Sequence, residues 1–132
     1  MHQKMQTFVR ELNRFYLQNK PLWENDADWE GFRWIASDDA GQSVIAFRRI
    51  DRKGREIIAV CNFCPVLRKK YRIGVPMRGT YTCVFSTDRK KYGGKGTRIG
   101  KVQAEEKEFH GLPYSISLSL PPLTVLYFSR ME

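Results

Sequence analysis

With 132 residues the chain is too short to enclose an eightfold α/β barrel of roughly 250 residues, yet long enough for one domain with its own core. Its composition, 42% apolar and 28% charged, includes no apolar run of membrane-spanning length and no signal-like start, so an ordered cytoplasmic protein with no membrane partner is expected. The net charge of +9 invites a phosphate-binding role, but its basic residues are spread over several turns with no RNP-like strand, zinc-finger spacing or recognition helix beside them. A solvated basic surface is therefore expected, and no nucleic-acid partner.

Residues 2–18 are predicted to be a helix, because Met5, Phe8, Val9, Leu12, Phe15 and Tyr16 recur at helical spacing on one apolar stripe. Asn19, Lys20 and Pro21 should end it. Beyond a linker at 21–30 the pattern changes to short strands. Runs 32–36 and 43–50 flank the turn-rich SDDAGQ and suit a hairpin. Run 56–63 places Ile57, Ala59, Cys61 and Phe63 on one face and Ile58, Val60 and Asn62 on the other, which predicts a central strand covered on both sides. Strands at 71–75 and 80–86 follow, separated by the turn signal Pro76-Met77-Arg78-Gly79.

Residues 88–100 read as the longest loop, and 101–109 are ambiguous around Glu105, Glu106 and Lys107. In 114–120, Ile116, Leu118 and Leu120 alternate with Ser115, Ser117 and Ser119, so one face should be buried and one wet. Pro121-Pro122 ends that run, and a last strand starts at Thr124. Seven or eight short strands with one helix predict an all-β antiparallel sandwich preceded by an N-terminal amphipathic helix.

Several motifs carry potential chemistry. Asp38-Asp39 and Glu105-Glu106 are adjacent carboxylates, but adjacency does not make a facing acid/base pair, and no catalytic residue is assigned. Cys61 and Cys64 have C-x-x-C spacing without a second such pair, so they read as reduced thiols, Cys83 and the two histidines do not complete a zinc set, and no metal is expected. Gly93-Gly94-Lys95-Gly96 lacks the phosphate-loop pattern and a following helix, so it reads as a surface loop, and no cofactor is expected. Trp23, Trp29 and Trp34 are expected to fill the seam between helix and sandwich. Trp29, between Asp28 and Glu30, and Tyr92 in the long loop are the two candidates for stacking on a sugar ring.

The phrases LNRFY at 12–16, PLWEND at 21–26, GFRWI at 31–35, CNFCP at 61–65, YRIGVP at 71–76, STD-x-x-x-YGG at 86–94 and SLSLPPL at 117–123 stand in one order. That order resembles the C-terminal region of bacterial 1,4-α-glucan branching enzymes. The chain departs from the family pattern at Cys64, at Ser86-Thr87-Asp88 and in the KGTRIG loop. The resemblance implies that residues 1–20 correspond to the last helix of a catalytic barrel, 21–30 to a linker and 31–132 to the C-terminal β-domain. It implies an enzyme that cuts an α-1,4-glucan and transfers the piece to a 6-hydroxyl. Retaining chemistry of that kind needs two carboxyl groups about 5 Å apart, which in this family lie upstream of the matching helix. The chain alone is then a supporting, inactive piece. Its partners would be the missing barrel and, through the full-length enzyme, α-glucan; by itself it should self-associate or fold its helix back on the sheet. The alternatives are a freestanding glucan-binding module and a basic nucleic-acid-binding domain.

Overall fold

A helix whose apolar stripe must be covered, followed by alternating strands, leads to helix-on-sheet packing outside a sandwich. The computed structural model describes residues 2–23, 32–39, 44–63, 65, 67–88, 90–92, 94, 96 and 99–131, with backbone only at 2, 32–34, 36–39, 91 and 131. Helix α1 (His2–Gln18) ends where the Asn19 side-chain amide donates to the Phe15 carbonyl at 2.7 Å. A 3-10 turn, Lys20–Leu22, buries Pro21 directly afterwards.

Eight strands follow among the described residues: β1 (Phe32–Asp39), β2 (Val44–Ile50), β3 (Glu56–Asn62), β4 (Arg68–Val75), β5 (Thr80–Ser86), β6 (Lys101–Gln103), β7 (Tyr114–Leu120) and β8 (Thr124–Met131). They form a six-stranded sheet in the order β1-β2-β3-β8-β5-β6 and a two-stranded sheet β4-β7, every pair antiparallel. The expected all-β sandwich with one leading helix is what the chain forms. The β2–β3 hairpin turns on Asp51, a buried carboxylate that accepts the backbone N–H of Lys53 at 2.9 Å and of Arg55 at 2.8 Å and pairs with the Arg55 guanidinium at 2.8 Å.

Between the sheets lie Ile58 and Val60 of β3, Leu126 and Phe128 of β8, Ile73 and Val75 of β4, and Ile116, Leu118 and Leu120 of β7. Each such side chain contributes about 1.5–3 kcal/mol on leaving water. Asn62 is buried among them with its amide satisfied, donating to the carbonyls of Leu120 at 3.3 Å and Pro121 at 2.9 Å. Those two bonds tie the end of one sheet to the end of the other.

The structure corrects several expectations. Phe63 is 57% exposed, because β3 ends at Asn62 and leaves Phe63 beyond the covered part of the strand. Ser115 is fully buried, because Glu105 bridges to its backbone and Arg72 donates to its hydroxyl at 2.7 Å. Strand β1 runs on to Asp39, into the expected turn, through two irregularities that let an interrupted ladder continue. Of the ambiguous segment, Lys101–Gln103 pairs with β5 and the remainder forms isolated bridges. The expected linker from Glu24 onward lies outside the described residues.

Candidate functional site

Two pieces of sequence far apart in the chain meet on the outer face of the six-stranded sheet. Strand β5 ends at Ser86, and Thr87 continues the pairing beyond it: its N–H donates to the Val125 carbonyl at 3.1 Å, and its hydroxyl accepts the Val125 N–H at 3.0 Å. The Ser86 hydroxyl accepts the Asp88 N–H at 3.1 Å, the local bond that makes serine a turn former. The Asp88 carbonyl in turn receives the Gly96 N–H at 2.6 Å. A β-carbon at Gly94 would stand 2.3 Å from that carbonyl oxygen, so the loop closes over Asp88 only because the position carries no side chain. Of the glycines read as a loop signal, Gly94 and Gly96 serve this backbone approach.

That corner delivers Tyr92, at the end of the 3-10 turn Lys90–Tyr92, against helix α1. Its ring stacks on Phe85 at 5.8 Å and 18° and meets Phe8 edge-on at 5.2 Å, while its hydroxyl donates to the Glu11 carboxylate. Phe15 completes the seam at 5.0 Å from Phe85 and 5.2 Å from Tyr127. Aromatic pairs at these separations add about 0.5–1.5 kcal/mol each beyond the area they bury. Burial also pushes the Tyr127 hydroxyl above its ordinary range, with Cys61 nearby acting in the same direction. A shallow cavity of about 180 Å³ opens at the seam between Glu11, Arg14, Gln18 and the Phe85 and Tyr92 rings.

Of the two stacking candidates, Tyr92 is therefore half-buried with one ring face on Phe85, and Trp29 lies outside the described residues. Trp23 sits in the turn after α1, its indole N–H donating to the Leu17 carbonyl at 3.3 Å. The side chains of Trp34, Asp38 and Asp39 are outside the description, as is Cys64. Glu105 and Glu106 are held apart in function, the first by Arg72 at 3.2 Å and the second by Arg78 at 3.0 Å. Arg78 also lies 5.8 Å over the Tyr114 ring. Burial raises the Cys61 thiol, which lowers its thiolate fraction and makes it a poor nucleophile. Cys83 points its thiol at the Phe85 carbonyl at 3.5 Å. Among the described residues no three His, Cys, Asp or Glu side chains converge as a metal set would, and no helix is long and apolar enough to cross a membrane.

What this arrangement can do is hold a helix. Sequence reading missed Glu11 and Phe85 as members of the seam. Glu11 sits next to the apolar stripe and looks like an ordinary polar position, and Phe85 lies in an unremarkable run of β5. Only the pairing of β5 with β8 brings Phe85 and Tyr127 to one face.

Residues 34–130 match the family described as alpha amylase, C-terminal all-beta domain. The chain is 46% identical over its whole length to a 1,4-alpha-glucan branching enzyme of Halothermothrix orenii, of which it covers 21%. It is 44% identical over 98% of its length to the enzyme of the same name from Aquifex aeolicus, again covering 21%, and 40% identical over 99% to one from Clostridium perfringens, covering 20%. The chain thus spans about a fifth of the length of these relatives.

Proposed function

The chain belongs to the alpha-amylase C-terminal all-β domain family, and on that premise we propose that it is the C-terminal β-domain of a 1,4-α-glucan branching enzyme. Its role is to support a catalytic barrel, and it has no branching activity by itself. The observation that carries this reading is an identity that runs the full length of the chain but meets only a fifth of each relative. The aromatic seam supports it as well. A domain whose signature corner grips a helix from the other end of its own sequence is built to fix the position of what that helix belongs to. In the full enzyme residues 1–20 are the last barrel helix, 21–30 the linker and 31–132 the sandwich. The assembled protein works in the cytoplasm, moving α-1,4-glucan segments to 6-hydroxyls to form α-1,6 branches in glycogen.

Two measurements test the reading. Incubated with amylose, the chain alone should leave the iodine stain unchanged. Grafted into the Halothermothrix orenii relative in place of the matching segment, it should sustain branching, whereas deletion of that segment should abolish it. Branching by the isolated chain, or a graft as inactive as the deletion although folded, overturns the proposal. Trp29 and Tyr92 are the proposed glucan-stacking positions, and a maltoheptaose titration that leaves tryptophan fluorescence unchanged removes Trp29 from that role.

A further inference from the structure

Helix α1 lies on one side of the six-stranded sheet, and the two-stranded sheet covers the other. On that second layer an open groove of about 430 Å³ runs between β4 and the turn at Phe109 and His110. Its lining among the described residues holds the basic run 68–70 with Arg72 and His110, and no carboxylate. Arg72 is engaged by Glu105 and Ser115. Lys69 and Lys70 are exposed, and no ion pair reaches them among the described residues.

The backbone of the groove is unusual. Among the described residues three non-glycine positions have positive φ, and two of them line this groove: Lys70 at 56°, and His110 at 51°, the first residue of the two-residue turn in which Phe109 and Leu112 exchange backbone hydrogen bonds. A left-handed lysine costs free energy that a glycine would not, and such strain concentrates at ligand sites. At Lys70 it accompanies the break in the β4–β7 register between Arg68 and Tyr71, where two successive lysines line the same groove. His110 is fixed on the opposite wall because its Nδ1 accepts the Gly74 N–H at 3.1 Å. That contact needs Gly74, where a β-carbon would fall 1.9 Å from the Phe109 carbonyl oxygen. The rim is apolar, with Phe109 and Leu67 each about two-fifths exposed.

We propose that this groove binds a phosphate monoester carried on a sugar ring, with the phosphoryl group between Lys69, Lys70 and His110 and the ring against Phe109. Two ammonium groups, with no acid among the described lining residues, select an anion. A free phosphate would fill only a small part of the volume, and the apolar rim is of use only to a ligand with a ring attached. A nucleic acid is disfavoured, because Tyr71 is buried and leaves Phe109 as a single exposed phenyl ring in the described lining, so no run of aromatic platforms is offered to successive bases. The site stands on the groove alone and does not depend on the branching reading.

The test titrates the full chain with glucose 6-phosphate, inorganic phosphate, maltose and a short RNA, followed by calorimetry and by amide shifts. Glucose 6-phosphate should bind saturably and about tenfold tighter than inorganic phosphate, with maltose silent. The informative variant is Lys70→Gly. It relieves the left-handed strain, so its thermal midpoint should stay level or rise, while glucose 6-phosphate affinity falls about tenfold. Lys101→Ala, outside the groove, should change neither. Absence of saturable glucose 6-phosphate binding, equal affinity for inorganic phosphate, undiminished binding in Lys70→Gly, or RNA displacing the sugar phosphate at lower concentration would each overturn the proposal.

Discussion

Tyr81 shows how one buried hydroxyl ties the core to pH. Its ring is almost wholly buried between the sheets, and its hydroxyl donates to the Met77 carbonyl at 2.9 Å. Loss of hydration pushes the hydroxyl up to about 12, against an ordinary value of 10.0. The folded-state value is raised, so the stability this group contributes is complete below the unfolded value and is lost as pH rises through the folded one. Between those limits the unfolded chain ionises Tyr81 and the folded chain does not, which biases the equilibrium toward unfolding as pH rises. Urea midpoints should therefore fall across that alkaline window, and Tyr81→Phe should flatten the tyrosine-specific part of the fall. An identical pH profile in the variant would show that the hydroxyl has no such role. Cys61 is another group pushed up by burial, which is why the C-x-x-C spacing has no reactive thiol at its first position.

At the level of the element, α1 is held by its seam and not by its ends. It has no acidic residue in its first turn and no basic residue in its last, so its own terminal turns do nothing to offset the helix dipole. A single helix of 17 residues with those termini is marginal in water. Phe15, buried against Phe85 and Tyr127, is the anchor. Phe15→Ala should cost about 3 kcal/mol of helix docking. Hydrogen exchange read by mass spectrometry should then show lost protection throughout α1 with the sandwich strands unchanged. Equal protection in α1 would mean that the seam does not hold it. The helix and the strands were legible because apolar periodicity reports local geometry: α1, β5 and β7 begin and end where their patterns do. The seam was not, because Glu11 and Tyr92 are distant in sequence and meet only after β5 has paired with β8. Phe63 and Ser115 were misread for a related reason. Alternation along a strand assigns faces but does not say where a strand stops or which loop returns to cover its wet side.

For the whole molecule, the apolar stripe of α1 is wider than the face it buries. Phe8 and Phe15 turn toward the sheet, while Met5, Val9 and Tyr16 follow one another up the helix in exposed positions. Leu17 and Trp23 extend the exposed apolar surface at the helix end. The expectation offered two ways of covering the stripe, and folding back onto the sheet covers only half of it. An apolar strip left in water promotes association. If the chain is the domain proposed above, the rest of that protein is the natural cover, and for the chain alone a second copy is expected in its place. Light scattering should then show a weight-average mass that rises with concentration toward that of a dimer. Val9→Glu, placed in the centre of the strip and away from the seam, should hold the chain monomeric without lowering its thermal midpoint. In the graft described above the parent sequence should lose this concentration dependence, since the strip would be covered from within. A chain that stays monomeric at every concentration, or a Val9→Glu variant that associates as strongly as its parent, would show that the exposed half of the stripe does not drive self-association.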